Sequence, residues 1–125
     1  MTPESALMNE IIRSVYGVAR LFRINTGTVT TDKGYRFSTG TPKGYSDLSG
    51  HIRAGASRFG IAVPVYIEAK VKPNKPTPEQ VDFIRDRREE GCAAGVCYSV
   101  REVWELHAPY LRTEADAGGA GDEDW

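Results

Sequence analysis

Residues 63–72 constrain the fold of this chain more than any other stretch. Val63, Val65, Ile67, Ala69 and Val71 fall on one side of an extended segment. Pro64, Tyr66, Glu68, Lys70 and Lys72 fall on the other, because side chains alternate along a β-strand. An apolar strand face needs a second layer to cover it. The flanking sequence supplies that layer as helices. Thr77-Pro78-Glu79-Gln80 has the form of a capping box with proline at the first helical position, after a proline-rich turn at Pro73, Asn74, Lys75 and Pro76. The helix it opens is expected to turn Val81, Ile84 and Phe83 inward and to stop at Gly91.

The same reading extends to the rest of the chain. Thr2-Pro3 predicts an N-cap, and Leu7, Met8, Ile11, Ile12 and Val15 recur at helical spacing until Gly17. Residues 18–25 read as a strand whose bulk is Leu21, Phe22 and Ile24. Residues 26–44 are rich in threonine and glycine, with Tyr35 and Phe37 as the large side chains, and read as a loop or short hairpin. Residues 44–48 suggest a short strand entered through a glycine turn, and residues 51–60 show no clear period. Residues 93–98 fit a short buried strand. Ser99, with Glu102 three residues later, predicts a second capping box and a helix carrying Val103, Trp104, Leu106 and Leu111, interrupted near His107 by Pro109. The expectation is a small α/β sandwich with a mixed sheet flanked by helices, formed by residues 1–113. Residues 114–125 form an acidic tail with nothing to pack, so disorder is expected there.

The chain has 125 residues, 40% of them hydrophobic and 26% charged, which suits one globular domain. No apolar run approaches the roughly 18 residues of a membrane span. The N-terminal residues form no signal-peptide core, so a cytoplasmic protein, in a bacterial or phage-infected cell, is expected. Cys92 and Cys97 have no histidine near them in sequence and read as reduced, structural thiols. The net charge of −1 is unevenly placed: residues 13–75 contain eleven Lys or Arg against Asp32, Asp47 and Glu68. Such a stretch can attract a polyanion, although a solvated mixed surface fits the charge equally well.

Hydrolysing a phosphodiester requires an aimed water and neutralised phosphate charge, and a hard divalent cation held by oxygen ligands provides both. Asp47 and Glu68 can hold such an ion if their strands are adjacent, with the Ala69 carbonyl as a third ligand. Lys70 lies two residues after Glu68, on the same side of the strand, where its ammonium can orient water or stabilise the transition state. Taken alone, Glu-x-Lys on a strand is more often a solvated face, an aspartate after Gly44-Tyr45-Ser46 is more often a turn residue, and Gln80 already has a capping role.

Their order along the chain adds a further observation. Gly44-Tyr45-Ser46-Asp47, then Tyr66-Ile67-Glu68-Ala69-Lys70, then Thr77-Pro78-Glu79-Gln80 resembles the virus-type replication-repair nuclease (VRR-NUC) family of the PD-(D/E)xK superfamily. The resemblance takes in Glu10, Arg23-Ile24-Asn25-Thr26-Gly27 and Gly91, and spans roughly residues 5–105. Serine stands before Asp47 where many superfamily members have proline. The resemblance implies a restriction-endonuclease-like fold and an endonuclease dependent on Mg²⁺ or Mn²⁺. Asp47 and Glu68 would be metal ligands, Lys70 the catalytic lysine, and Gln80 a neighbour of the catalytic pocket. Glu10 would help hold the metal centre or a second ion, although a solvated glutamate fits its position on the helix equally well. Arg23, Lys43, Lys72 and Lys75 are candidate phosphate contacts. Stand-alone members of this family look like Holliday junction resolvases acting as homodimers in replication, repair or recombination, which makes branched DNA the expected substrate. The surfaces open to a dimer are the Trp104 and Leu111 helix and the Tyr35 and Phe37 region, with the second preferred. The alternatives are a noncatalytic DNA-binding module on the same fold, and an interaction protein in which Glu68 and Lys70 are only a solvated strand face.

Overall fold

Thr2 caps the first helix, α1 (Pro3–Ser14), through a hydrogen bond accepted from the Ser5 amide at 3.1 Å. The computed structural model describes residues 1–24, 28–30, 33–34, 36–38 and 40–116. After α1 come β1 (Ala19–Arg23), a two-stranded ribbon of β2 (Thr28–Thr30) and β3 (Arg36–Ser38), then β4 (Leu48–Ile52) and β5 (Val63–Ala69). Helix α2 (Pro78–Glu89), β6 (Ala93–Cys97), α3 (Val100–His107) and a 3-10 turn (Ala108–Tyr110) complete the order. The main sheet runs β1-β4-β5-β6, with antiparallel β1/β4 and β4/β5 pairs and a parallel β5/β6 pair joined through α2. This is a mixed α/β fold with a four-stranded mixed sheet flanked by helices.

Strand alternation divides the protein into two layers. Val63, Val65, Ile67 and Ala69 of β5 join Leu48, Ile52, Ala19, Leu21, Met8, Ile11 and Val103 in the main core, under α1 and α3. These helices are tied to each other where Trp104 Nε1 donates to Ser14 Oγ at 2.9 Å. On the opposite face, Phe83 and Ile84 of α2 pack over Ala94, with Tyr45, Tyr66 and Val96 at the margin. Glu68 belongs to that second face, beneath α2.

Several local expectations need correction. Residues 44–48 do not form a strand: the strand is β4, starting at Leu48, because the Asp47 amide is drawn to a side chain and not into a ladder. Phe22 is not part of the core. It is 57% exposed, since β1 is an edge strand and α2 covers only the β5 and β6 side of its face. Val81 is also exposed, at the rim of a contact made by Phe83 and Ile84. The Ser99 box closes on one side only: Ser99 accepts from the Glu102 amide, but Glu102 Oε1 takes the Tyr98 amide instead of the cap's own. Trp104 and Leu111 are half-buried and pack against the main core. The expected disorder does not begin at Glu114. Residues 114–116 form a helical turn in which Thr113 and Asp116 cap each other and Asp116 reaches Arg58 at 3.9 Å.

Cys92 and Cys97 are buried, free thiols, as expected. Five residues of extended chain separate them by roughly 17 Å, too far for a bridge. Burial pushes the Cys97 thiol up to about 12, which keeps it protonated and unreactive. No helix among the described residues is long and apolar enough to cross a membrane. Tyr35, residues 25–27 and residues 117–125 lie outside the described residues, and Phe37 is described only by its backbone in β3.

Candidate active site

Glu68 sits near the C-terminal end of β5 and is 1% exposed. A solvated strand face is therefore ruled out for it. A carboxyl group in such a place needs partners for both oxygens. Oε2 accepts from the Asp47 amide at 3.2 Å, and Oε1 accepts from Gln80 Nε2 at 2.7 Å. Lys70 Nζ approaches Oε1 at 3.6 Å, with the lysine side chain itself only 15% exposed. Asp47, Glu68, Lys70 and Gln80 are thus brought together from the approach to β4, the end of β5 and the first turn of α2.

Three local features make this possible. Gly44 has φ +86°, and a Cβ there would lie 2.4 Å from the Glu79 carbonyl oxygen, so glycine lets the 42–47 loop close against the start of α2. Ser46 is fully buried and its Oγ donates to the Leu48 carbonyl at 2.9 Å, holding the loop where Asp47 enters the sheet. A proline there has no side-chain donor for that bond. The Asp47 carbonyl in turn accepts from the Ile24 amide at 2.9 Å, extending the β1/β4 alignment by one bond.

The electrostatics follow from this crowding. Burial, then the Asp47 charge, then a side-chain hydrogen bond with Asp47 push Glu68 up to about 8, against which Lys70 and the Asp47 amide pull down. Burial and the neighbouring Asp47 charge thus favour the protonated form of Glu68. A cation bound there would relieve the same repulsion. The donors suit a hard cation: a buried carboxyl group, a half-buried one set against it, and a main-chain oxygen next in the chain. That oxygen is the Ala69 carbonyl. The Lys70 amide bonds β6 through the Cys97 carbonyl, so the Ala69 main-chain groups face the β4 side, beyond the last β4/β5 pair of Leu48 with Ile67.

Gln80 does both of the jobs open to it. Its Oε1 accepts from the Thr77 amide at 2.8 Å while Thr77 Oγ1 accepts from its amide, and its Nε2 remains free to hold Glu68. Glu10 does not join the site. It is exposed on α1, and no group of three His, Cys, Asp or Glu side chains among the described residues is arranged to hold a metal. The helix residue that does reach the end of β5 is Glu4, whose Oε2 accepts from Asn74 Nδ2 at 3.0 Å and from the Val71 amide at 3.5 Å. Six residues of helix turn Glu10 about 120° away from Glu4.

The four candidate phosphate contacts are dispersed. Arg23 lies on the α1 side of the sheet, where Nη2 donates to Ser5 Oγ at 3.1 Å, and so faces away from Glu68. Lys43 pairs with Glu79 at 3.5 Å and is 84% exposed. Lys72 stands over the Tyr98 ring at 5.9 Å, and Lys75 is exposed in the turn before α2. Lys43, Lys72 and Lys75 lie in the segments flanking Asp47, Glu68 and α2; Arg23 does not. Sequence reasoning missed Glu4 and the packing of Tyr45 against Tyr66 and Phe83, with ring centroids 6.0 and 4.8 Å apart. Tyr66 was legible as a neighbour of Glu68 on the same face, but no periodicity marks Glu4. No family model matches the chain, and no curated protein or solved structure matches it.

Proposed function

We propose that this protein is a metal-dependent endodeoxyribonuclease of the PD-(D/E)xK type, similar to the VRR-NUC family. The observation that carries the reading is the buried Glu68 carboxyl, which accepts from the Asp47 amide at 3.2 Å and lies 3.6 Å from the Lys70 ammonium. A buried Glu68 carboxyl set against the half-buried Asp47 is a costly arrangement for a purely structural protein, whereas a cation site uses it.

Asp47, Glu68 and the Ala69 carbonyl would hold Mg²⁺ or Mn²⁺. When bound, the ion supplies positive charge at the scissile phosphate and acidifies a neighbouring water. The chain's own groups do the rest. Lys70 Nζ donates a hydrogen bond to the attacking water or a non-bridging phosphate oxygen. Gln80 Nε2 fixes the Glu68 carboxylate in one rotamer, so the ligand is set before substrate arrives. The Asp47 amide steadies the second Glu68 oxygen.

Branched DNA, such as a four-way junction, is the proposed substrate, with a two-fold homodimer placing one site on each of two equivalent strands. A cytoplasmic role in phage-type replication, repair or recombination is part of the same proposal. The test is cleavage of plasmid, linear duplex, flap and four-way junction DNA with Mg²⁺, Mn²⁺ or chelator, with light scattering for the assembly. Metal-dependent cutting lost in Glu68→Ala supports the reading. Absence of cutting with either metal on every substrate overturns it. A monomer at micromolar concentration overturns the paired-site model alone.

A further inference from the structure

Beyond the acidic site, the same face of the sheet continues across β4 to the β1 edge. Helix α2 packs over β5 and β6 through Phe83 and Ile84, which leaves the β1 and β4 half of that face without a helix above it. Strand register places Phe22 opposite Ser49 and Ser49 opposite Tyr66, with Arg20, His51 and Pro64 in the next row on this face. Asp47 and Glu68 lie one pleat beyond the first row, in the opposite direction. Phe22 is therefore two strands across from β5 and two residues back from Glu68, roughly 12 Å away between Cα atoms.

The chemistry of this open half is uniform. Among the described residues, the two rows Arg20, Phe22, Ser49, His51, Pro64 and Tyr66 include no carboxylate, and the row that follows brings Asp47 and Glu68. Phe22 is 57% exposed, and His51 is exposed as well. Arg20 is held in place, its guanidinium 3.7 Å from the Tyr16 ring centroid and bonded to the Tyr16 carbonyl. Next to Phe22 in the sheet, Ser49 Oγ accepts from the Tyr45 hydroxyl at 3.3 Å, so Tyr45 borders this half-face on the side of α2.

An exposed aromatic ring in a basic, carboxylate-free strip suits an unpaired nucleic acid strand. A base can lie flat on Phe22 only when it has left its own stack, which a continuous duplex does not allow. We infer that the open β1/β4 half-face is a binding track for an unpaired DNA strand leading to the acidic site, with Phe22 stacking a base and Arg20 and His51 facing the backbone. This inference rests on the nuclease reading for its direction and narrows the branched substrate from a fully paired four-way junction to forms with unpaired nucleotides beside the scissile phosphate, such as a flap.

The test separates binding from cutting. Fluorescein-labelled oligo(dT) of roughly ten nucleotides and a blunt duplex of equal length are titrated, in chelator, against wild type, Phe22→Ala, Phe22→Tyr and Arg20→Ala. Wild type is expected to prefer oligo(dT). Phe22→Ala should weaken that binding by about tenfold, the size of one lost stack, while Phe22→Tyr retains it. Arg20→Ala should weaken it in a salt-dependent way. Circular dichroism of each variant checks that the edge strand persists. Equal oligo(dT) binding by Phe22→Ala and wild type overturns the inference, as does preference for blunt duplex or binding of neither. Metal-dependent cleavage is measured separately on the same preparations. Loss of the nuclease reading alone shows as Phe22-dependent strand binding without cutting. Loss of the track alone shows as cutting and binding that ignore Phe22.

Discussion

Gln80 Nε2 donates to Glu68 Oε1 at 2.7 Å while the other end of the same amide accepts from the Thr77 backbone. One side chain thereby fastens the start of α2 to itself and to the buried acid in β5. The stability of the helix end and the aim of the carboxylate are coupled through that amide. Gln80→Ala is expected to lose both. Thermal melts should show about 1 kcal/mol of destabilisation, the size of a lost cap interaction, and cleavage should fall by more than the stability loss explains. Gln80→Glu should keep the cap but place a further carboxylate beside Glu68, so that Mn²⁺ binding needs a higher pH than in wild type. An unchanged pH profile in that variant would show that the Gln80 contact does not reach the site.

Glu68 makes the metal-free protein sensitive to alkali. Its folded pKa is raised from 4.5 to about 8, so its contribution is fully present below the unfolded value and is lost as pH rises through the folded one. In chelator, wild type should lose stability between about pH 5 and pH 8 as this group ionises. Glu68→Gln imitates the protonated acid and should show a flatter profile, melting above wild type at pH 8 while cutting nothing. Mn²⁺ should raise the melting temperature of wild type at pH 8 and leave the variant unchanged. Parallel pH profiles for the two proteins would contradict this account.

Asp47 and Lys70 should separate by role. Asp47→Ala removes a charged ligand and should abolish both cleavage and Mn²⁺ binding with a native circular dichroism spectrum. Lys70→Ala should abolish most cleavage yet bind Mn²⁺ near normally in a calorimetric titration, because Nζ is a donor to the reacting groups and not a ligand. Loss of Mn²⁺ binding in Lys70→Ala would assign lysine to local structure instead.

Gly44→Ala addresses the close approach of the loop to α2. The added methyl group meets the Glu79 carbonyl at 2.4 Å, and the φ of +86° is strained for alanine. Destabilisation of about 2 kcal/mol is expected, together with a loss of cleavage, since the displaced loop carries Asp47. A variant that melts and cuts like wild type would mean the loop is free to shift.

His107 sets the opposite limit on pH. It is fully buried, its Nδ1 donates to the Val103 carbonyl at 2.7 Å, and Nε2 has no partner among the described residues. Burial lowers its pKa from 6.5, so its contribution is present above that value and is lost as pH falls through the depressed folded value. His107→Leu should be less sensitive to acid than wild type in melts below about pH 6. Identical acid profiles would remove the histidine from the explanation.

The sequence by itself determined the elements whose causes are local. The alternation along residues 63–69 makes β5, Thr77 and Gln80 make the α2 cap within three residues of each other, and Thr2 with Pro3 starts α1. Placing Asp47, Glu68, Lys70 and Gln80 in one candidate set was also possible from order and residue type. Only the tertiary structure decided which of them are buried and what they touch. Gln80 meets Glu68 across 12 residues and Glu4 meets Asn74 across 70, separations over which no periodicity carries information. Phe22 has the residue type of a core strand position, yet it is exposed because α2 covers the other half of the sheet. Glu68 has the residue type of a surface position, yet it is buried because that helix lies over it. Alternation assigns a side chain to a face of a sheet, but the helix packed against that face decides whether the side chain meets protein or water.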